Sequence, residues 1–111
     1  MTSEAVYIGI IKNPKTGECC VVDKATIPDL ALGAPVTWSA ETVSGSFKIV
    51  FPDTQVFGEE VFYLDGGTSV TKEVVGNPPP GLTQDYVIFC IQTGKKVMTE
   101  DGISPTIIIG G

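Results

Sequence analysis

Short runs in which apolar and polar residues alternate, separated by Gly, Pro, Asn and Asp, dominate this chain. The pattern predicts strands at Val6–Ile11, Cys19–Ala25, Val36–Ser39, Phe47–Phe51, Glu60–Leu64, Ser69–Val75, Tyr86–Gln92 and Thr106–Ile109. Phe47, Ile49 and Phe51 occupy alternate positions, so one strand face carries all three into a core. Between the runs lie Asn13-Pro-Lys-Thr-Gly17, Phe51-Pro-Asp53, Asp65-Gly-Gly67 and Asn77-Pro-Pro-Pro-Gly81, all with the chemistry of turns. Only Ala25 to Leu32 and Gly94 to Asp101 have room for a helical turn, and no stretch keeps a helical apolar period. The expected class is all-β, a sandwich or barrel.

Composition narrows that picture. At 111 residues, 42% hydrophobic and 18% charged, the chain is expected to fold as one compact domain spanning residues 1–111. No apolar run reaches the length of a membrane span, and the start, Met-Thr-Ser-Glu, carries no basic region followed by an apolar stretch. Three cysteines, an odd number, do not form a secreted disulfide framework. A cytoplasmic protein is therefore expected, or a secreted one if a leader has been removed. The net charge of -6 argues against nucleic acid as a partner, because phosphates would be repelled. The acids are scattered; Glu59-Glu60 is an adjacent pair that a solvated face explains.

Candidate chemistry centres on Cys90-Ile-Gln-Thr93-Gly-Lys-Lys-Val-Met98 in a chain that contains no histidine. Other segments bear on it: Gly33-Ala-Pro-Val-Thr-Trp38, Ser46-Phe-Lys-Ile-Val-Phe51, Pro80-Gly81 followed by Tyr86-Val-Ile-Phe-Cys90, and Ser104-Pro-Thr-Ile-Ile-Ile109. In order and spacing these resemble the strands and ligand loop of cupredoxins, the small blue-copper β-sandwiches, although three extra residues precede the tyrosine. The resemblance implies a Greek-key sandwich with Ser46 and Thr93 in the two histidine slots, Cys90 in the thiolate slot and Met98 in the axial one. A type 1 copper site needs two imidazoles, so the chain departs from the family at the residues that define its activity. Zinc sites built on histidine and imidazole-based acid–base schemes fail by the same argument.

Cu(I), being soft, leaves a narrower alternative, a seat made by Cys90 and Met98. Against it stand a small buried cysteine, a gap-filling methionine and the repelling charges of Lys95 and Lys96. Cys19 and Cys20, adjacent in a strand, point to opposite faces and cannot easily hold one ion. The terminal Gly110-Gly111 resembles the tail of ubiquitin-like and sulfur-carrier proteins, which makes a diglycine carrier a further alternative. There is no nucleophile elbow and no phosphate-binding glycine loop; Glu59, Glu60 and Asp65 are surface acids by default, and Asp65-Gly-Gly67 suits a hairpin turn. The expectation is a non-catalytic, cofactor-free cupredoxin-like module that binds a protein partner or itself through the sandwich end or an edge strand. In a variant of it, Trp38, Tyr86 and the Asn77 to Gly81 loop form a ligand surface.

Overall fold

A computed structural model describes residues 5–17 and 19–110. These residues form ten strands and no helix: β1 (Val6–Lys12), β2 (Cys19–Val22), β3 (Thr26–Leu30), β4 (Pro35–Ser39), β5 (Ser46–Val50), β6 (Val61–Asp65), β7 (Ser69–Glu73), β8 (Thr83–Asp85), β9 (Val87–Cys90) and β10 (Thr106–Ile109). They pair in three sheets, ordered β2-β1-β4-β7, β3-β10-β8 and β6-β5-β9. Strand β1 runs parallel to β4, with Ile8 opposite Trp38, and β10 runs parallel to β3; every other pairing is antiparallel. The result is an all-β, sandwich-like molecule whose inner faces meet in one hydrophobic cluster drawn from all three sheets.

Alternation accounts for most of this. Buried Phe47 and Ile49 of β5 face buried Phe62 and Leu64 of β6 and Ile88 of β9, while the residues between them point outward. Trp38, fully buried, is the centre of the core. The rings of Phe51, Phe57, Phe62 and Tyr86 surround it at centroid distances of 6.1, 5.6, 5.2 and 5.8 Å, mostly edge-on, the geometry aromatic pairs prefer. Its indole Nε1–H donates to the Tyr86 hydroxyl at 3.2 Å, so both polar tips are satisfied away from water. Trp38 and Tyr86 thus belong to the core, not to a ligand surface.

Several segments depart from the sequence-based expectation. Ala25 to Leu32 is not helical; it contains β3, and the strand expected over Cys19–Ala25 stops at Val22. Pro28 lacks an amide hydrogen and is tolerated because β3 is an edge strand. At Asp29 the chain turns left-handed, with φ 62°, at a register shift against β10. The bulge brings both Ile27 and Leu30 into the core, which a regular strand would send to opposite faces. Likewise the run expected over Tyr86–Gln92 begins earlier and divides, β8 joining β10 while β9 joins β5. Residues 94–101 hold no helix either, only a hairpin return and turns.

Candidate functional site

The hairpin after β9 determines where the sequence-selected residues lie. Cys90 accepts from the Gly94 amide at 2.8 Å and donates its own N–H to Lys95 at 2.9 Å, closing a tight loop with Gly94 at φ 70°. The chain then runs back beside β9, with Lys96 bridged to Phe89 and the Val97 N–H donating to Ile88 at 2.7 Å. Cys90 also lies opposite Phe47, next to Ser46 on β5.

Three of the four ligand-slot residues therefore converge. The Ser46 amide donates to Gln92 Oε1 at 3.1 Å, and the Cys90 thiol reaches the same oxygen at 3.6 Å. The Ser46 hydroxyl donates to Asp65 Oδ1 at 3.0 Å, while Thr93 Oγ1 accepts from the Lys95 amide at 3.3 Å. A hydrogen bond from the Thr93 side chain holds the Cys90 thiol below its ordinary pKa. Partial burial opposes it, and the backbone amides of Thr93 and Gln92 assist it. Gln92, which ties Ser46 to Cys90, carries no sequence signal that would have singled it out.

Met98 does not join them. With Lys95 opposite Cys90 and Val97 bonded to Ile88, Met98 falls level with Val87, three rungs or about 10 Å along the hairpin from Cys90. Its carbonyl accepts from the Val22 amide at 3.0 Å, tying this return strand to β2. Among the described residues, no three His, Cys, Asp or Glu side chains group to hold a metal ion. The burial and contacts of Cys19 and Cys20 lie outside the description. Gly110 is buried and donates its amide to Leu30 at 2.9 Å; Gly111 is outside the described residues.

Register exposes a different feature, the outer face of β6-β5-β9. Its outward positions form cross-strand rows: Val61, Val50 and Val87; then Tyr63, Lys48, Phe89 and Lys96; then Asp65 and Ser46, with exposed Ile91 at the turn beyond. Tyr63 is 62% exposed, and Val50, Val87 and Phe89 are only half-buried. The outer face of β2-β1-β4-β7 provides an internal comparison. There the corresponding rows read Tyr7, Thr37 and Thr71, then Gly9, Ser39 and Ser69, then Pro35 and Glu73, with Ile11 opposite Val21 where β1 meets β2. The hydroxyls of Thr37 and Thr71 hydrogen-bond to each other at 2.7 Å. A solvated sheet face is ordinarily polar, as this second one is over β4 and β7. The first is not: three valines, Tyr63 and Phe89 stand at its outward positions.

This apolar face was legible as a pattern. Ile49-Val50-Phe51, Val61-Phe62-Tyr63-Leu64 and Val87-Ile88-Phe89 are apolar at both parities, whereas Ser69, Thr71 and Glu73 are polar at the outward parity of β7. A strand apolar at both parities offers apolar side chains to both faces of its sheet.

A cleft of about 410 Å³ lies elsewhere, between β1, β2 and the turn at 99–103. Ile11, Val22 and Ile103 line it together with Lys15, Asp23 and Glu100, and Lys15 pairs with Glu100 at 3.5 Å. Among the described residues, no helix is long and apolar enough to cross a membrane. Comparison with protein-family models, with curated proteins and with solved structures finds no match to this chain.

Proposed function

We propose that this chain is a non-catalytic, metal-free module of cupredoxin-like, Greek-key type that works by docking a protein partner on the outer face of β6-β5-β9. The fold part of the reading rests on the resemblance of residues 33–109 and on the chain path. Strands β5 and β6 pair in one sheet and β7 crosses over to pair with β4 in another, so consecutive strands are shared between sheets. The segments resembling cupredoxin strands fall on β4, β5, β9 and β10.

The functional part rests on one observation: the outer face of β6-β5-β9 carries Val61, Val50, Val87, Tyr63 and Phe89, where the outward positions of β4 and β7 are mostly hydroxyls. Contiguous apolar surface rimmed by polar residues marks an interaction site. Neither alternative gains from the geometry. A Cu(I) seat would need Cys90 and Met98 together, and the hairpin offsets them; a diglycine carrier needs a projecting tail, and Gly110 is packed against β3. The test is site-specific photocrosslinking in the producing cell. A benzoylphenylalanine at Tyr63 is expected to give discrete protein adducts, and one at Thr71, on the polar face, none. Equal labelling from both positions, or none from Tyr63, would remove the docking face.

A further inference from the structure

We infer that the occupant of this face is an acidic, amphipathic helix of a partner protein, an inference that rests on the docking reading above. The central row of the face alternates aromatic and cationic side chains, Tyr63, Lys48 and Phe89 on the three strands and Lys96 at the bridge beside β9. The chain carries seven lysines against thirteen acidic residues, and two of the seven stand here on either side of Phe89. Among the described residues the ion pairs are Lys15–Glu100 and Lys72–Glu59, so Lys48 and Lys96 reach the surface without a carboxylate partner. Asp65 is the only acid at the outward positions of β5, β6 and β9, and it is engaged by Ser46.

Spacing favours a helix over an extended segment. Lys48 and Lys96 are separated by two strand intervals, about 9.6 Å, with Phe89 between them. On a helix, residues i and i+7 share a face about 10.5 Å apart, with i+3 and i+4 between them. Carboxylates at the outer two positions and apolar residues at the inner two would meet Lys48, Lys96 and Phe89 together. In an extended segment, residues about 10 Å apart are three positions apart and point to opposite sides, so only one could reach its lysine.

Area and charge argue against the other occupants. Three strands and the bridged segment beside β9, by roughly 15 Å, give a face on the order of 300 Å², well short of the about 800 Å² per partner of a stable interface between two folded proteins. A two-fold contact of this face with itself would also set Lys48 against its own copy. An anionic bilayer would meet the lysines but repel the remainder of an acidic chain.

The experiment titrates the purified protein with a 15-residue helical peptide carrying Glu at i and i+7 and Leu at i+3 and i+4, and separately with its Lys-for-Glu counterpart, following backbone amides by NMR. The acidic peptide should shift amides of β5, β6 and β9, the basic one should not, and Lys48→Glu with Lys96→Glu should weaken the acidic peptide at least tenfold and admit the basic one. Lys96→Glu alone, at an exposed position of the segment bridged to β9, should weaken it by several-fold. Equal binding of the two peptides, shifts confined to the Thr37–Thr71 face, a dimer formed through the β6-β5-β9 face, or tight binding to phosphatidylserine vesicles would each overturn the inference. Tyr63 crosslinks that persist unchanged in the doubly reversed chain would overturn it while leaving the docking reading standing.

Discussion

Tyr86→Phe should lower stability at neutral pH and raise it in strong alkali. The hydroxyl of Tyr86 is the acceptor for the Trp38 indole N–H, and both side chains are essentially inaccessible, at 1% and 0% exposure. Removing it leaves a buried donor unsatisfied, a cost of about 1–2 kcal/mol at pH 7. Burial also pushes the Tyr86 pKa far above its ordinary value, although the bond from Trp38 opposes the shift. The unfolded chain ionises this tyrosine near pH 10 while the folded chain does not. Wild type therefore keeps its full stability below about pH 10 and loses about 1.4 kcal/mol per pH unit above it, up to the raised folded value. Phenylalanine has no proton to lose, so the gap closes and the variant overtakes wild type at about pH 11. All other titrations are common to both proteins and cancel in the difference. Urea unfolding followed by fluorescence of Trp38, the single tryptophan, measures both curves between pH 7 and 11.5. Parallel curves across that range would refute the buried, un-ionised Tyr86.

Other consequences are separately measurable. A Cβ at Gly76 would sit 1.9 Å from the Gln55 carbonyl oxygen, so Gly76→Ala should cost about 3 kcal/mol or more in chemical denaturation. Gly67→Ala, at φ 82° in open space, should cost only about 1 kcal/mol; equal losses would contradict the close approach. Because Thr93 holds the Cys90 thiol below its ordinary range, Thr93→Val should move the pH midpoint of Cys90 alkylation upward and slow the reaction at pH 8, read by mass spectrometry of the Cys90 peptide. An unchanged midpoint would discount that hydrogen bond.

Much of the fold could be read from alternation alone, because strands such as β5 and β6 bury every second residue. What escaped was structure held by distant pairing. β3 contains Pro28 and Asp29, local breakers, and exists because Thr26 and Ile27 pair with Thr106 and Ile107 at the far end of the chain. β8 is three residues long and depends on the same strand. Ser46, Thr93 and Cys90 lie near one another in the structure, whereas Met98 does not join them, because a nine-residue pattern cannot distinguish an open loop from a hairpin that carries its last residue away. Trp38 and Tyr86 have polar tips suited to a surface role, while the alternation of Trp38 with Thr37 and Ser39 already pointed its ring inward. The outer face was present as runs apolar at both parities, yet only cross-strand register assembles those runs into one patch.

Two tyrosines make the most direct comparison of the faces. Tyr63 on β6 is 62% exposed and Tyr7 on β1 is 61% exposed, so hydroxyl radicals should oxidise them at similar rates in the purified protein. Footprinting in the producing cell, normalised to that pair, is expected to show Tyr63 protected several-fold while Tyr7 stays as reactive as before. Equal reactivity of the two in the cell, or protection of Tyr7 instead, would contradict docking on the β6-β5-β9 face.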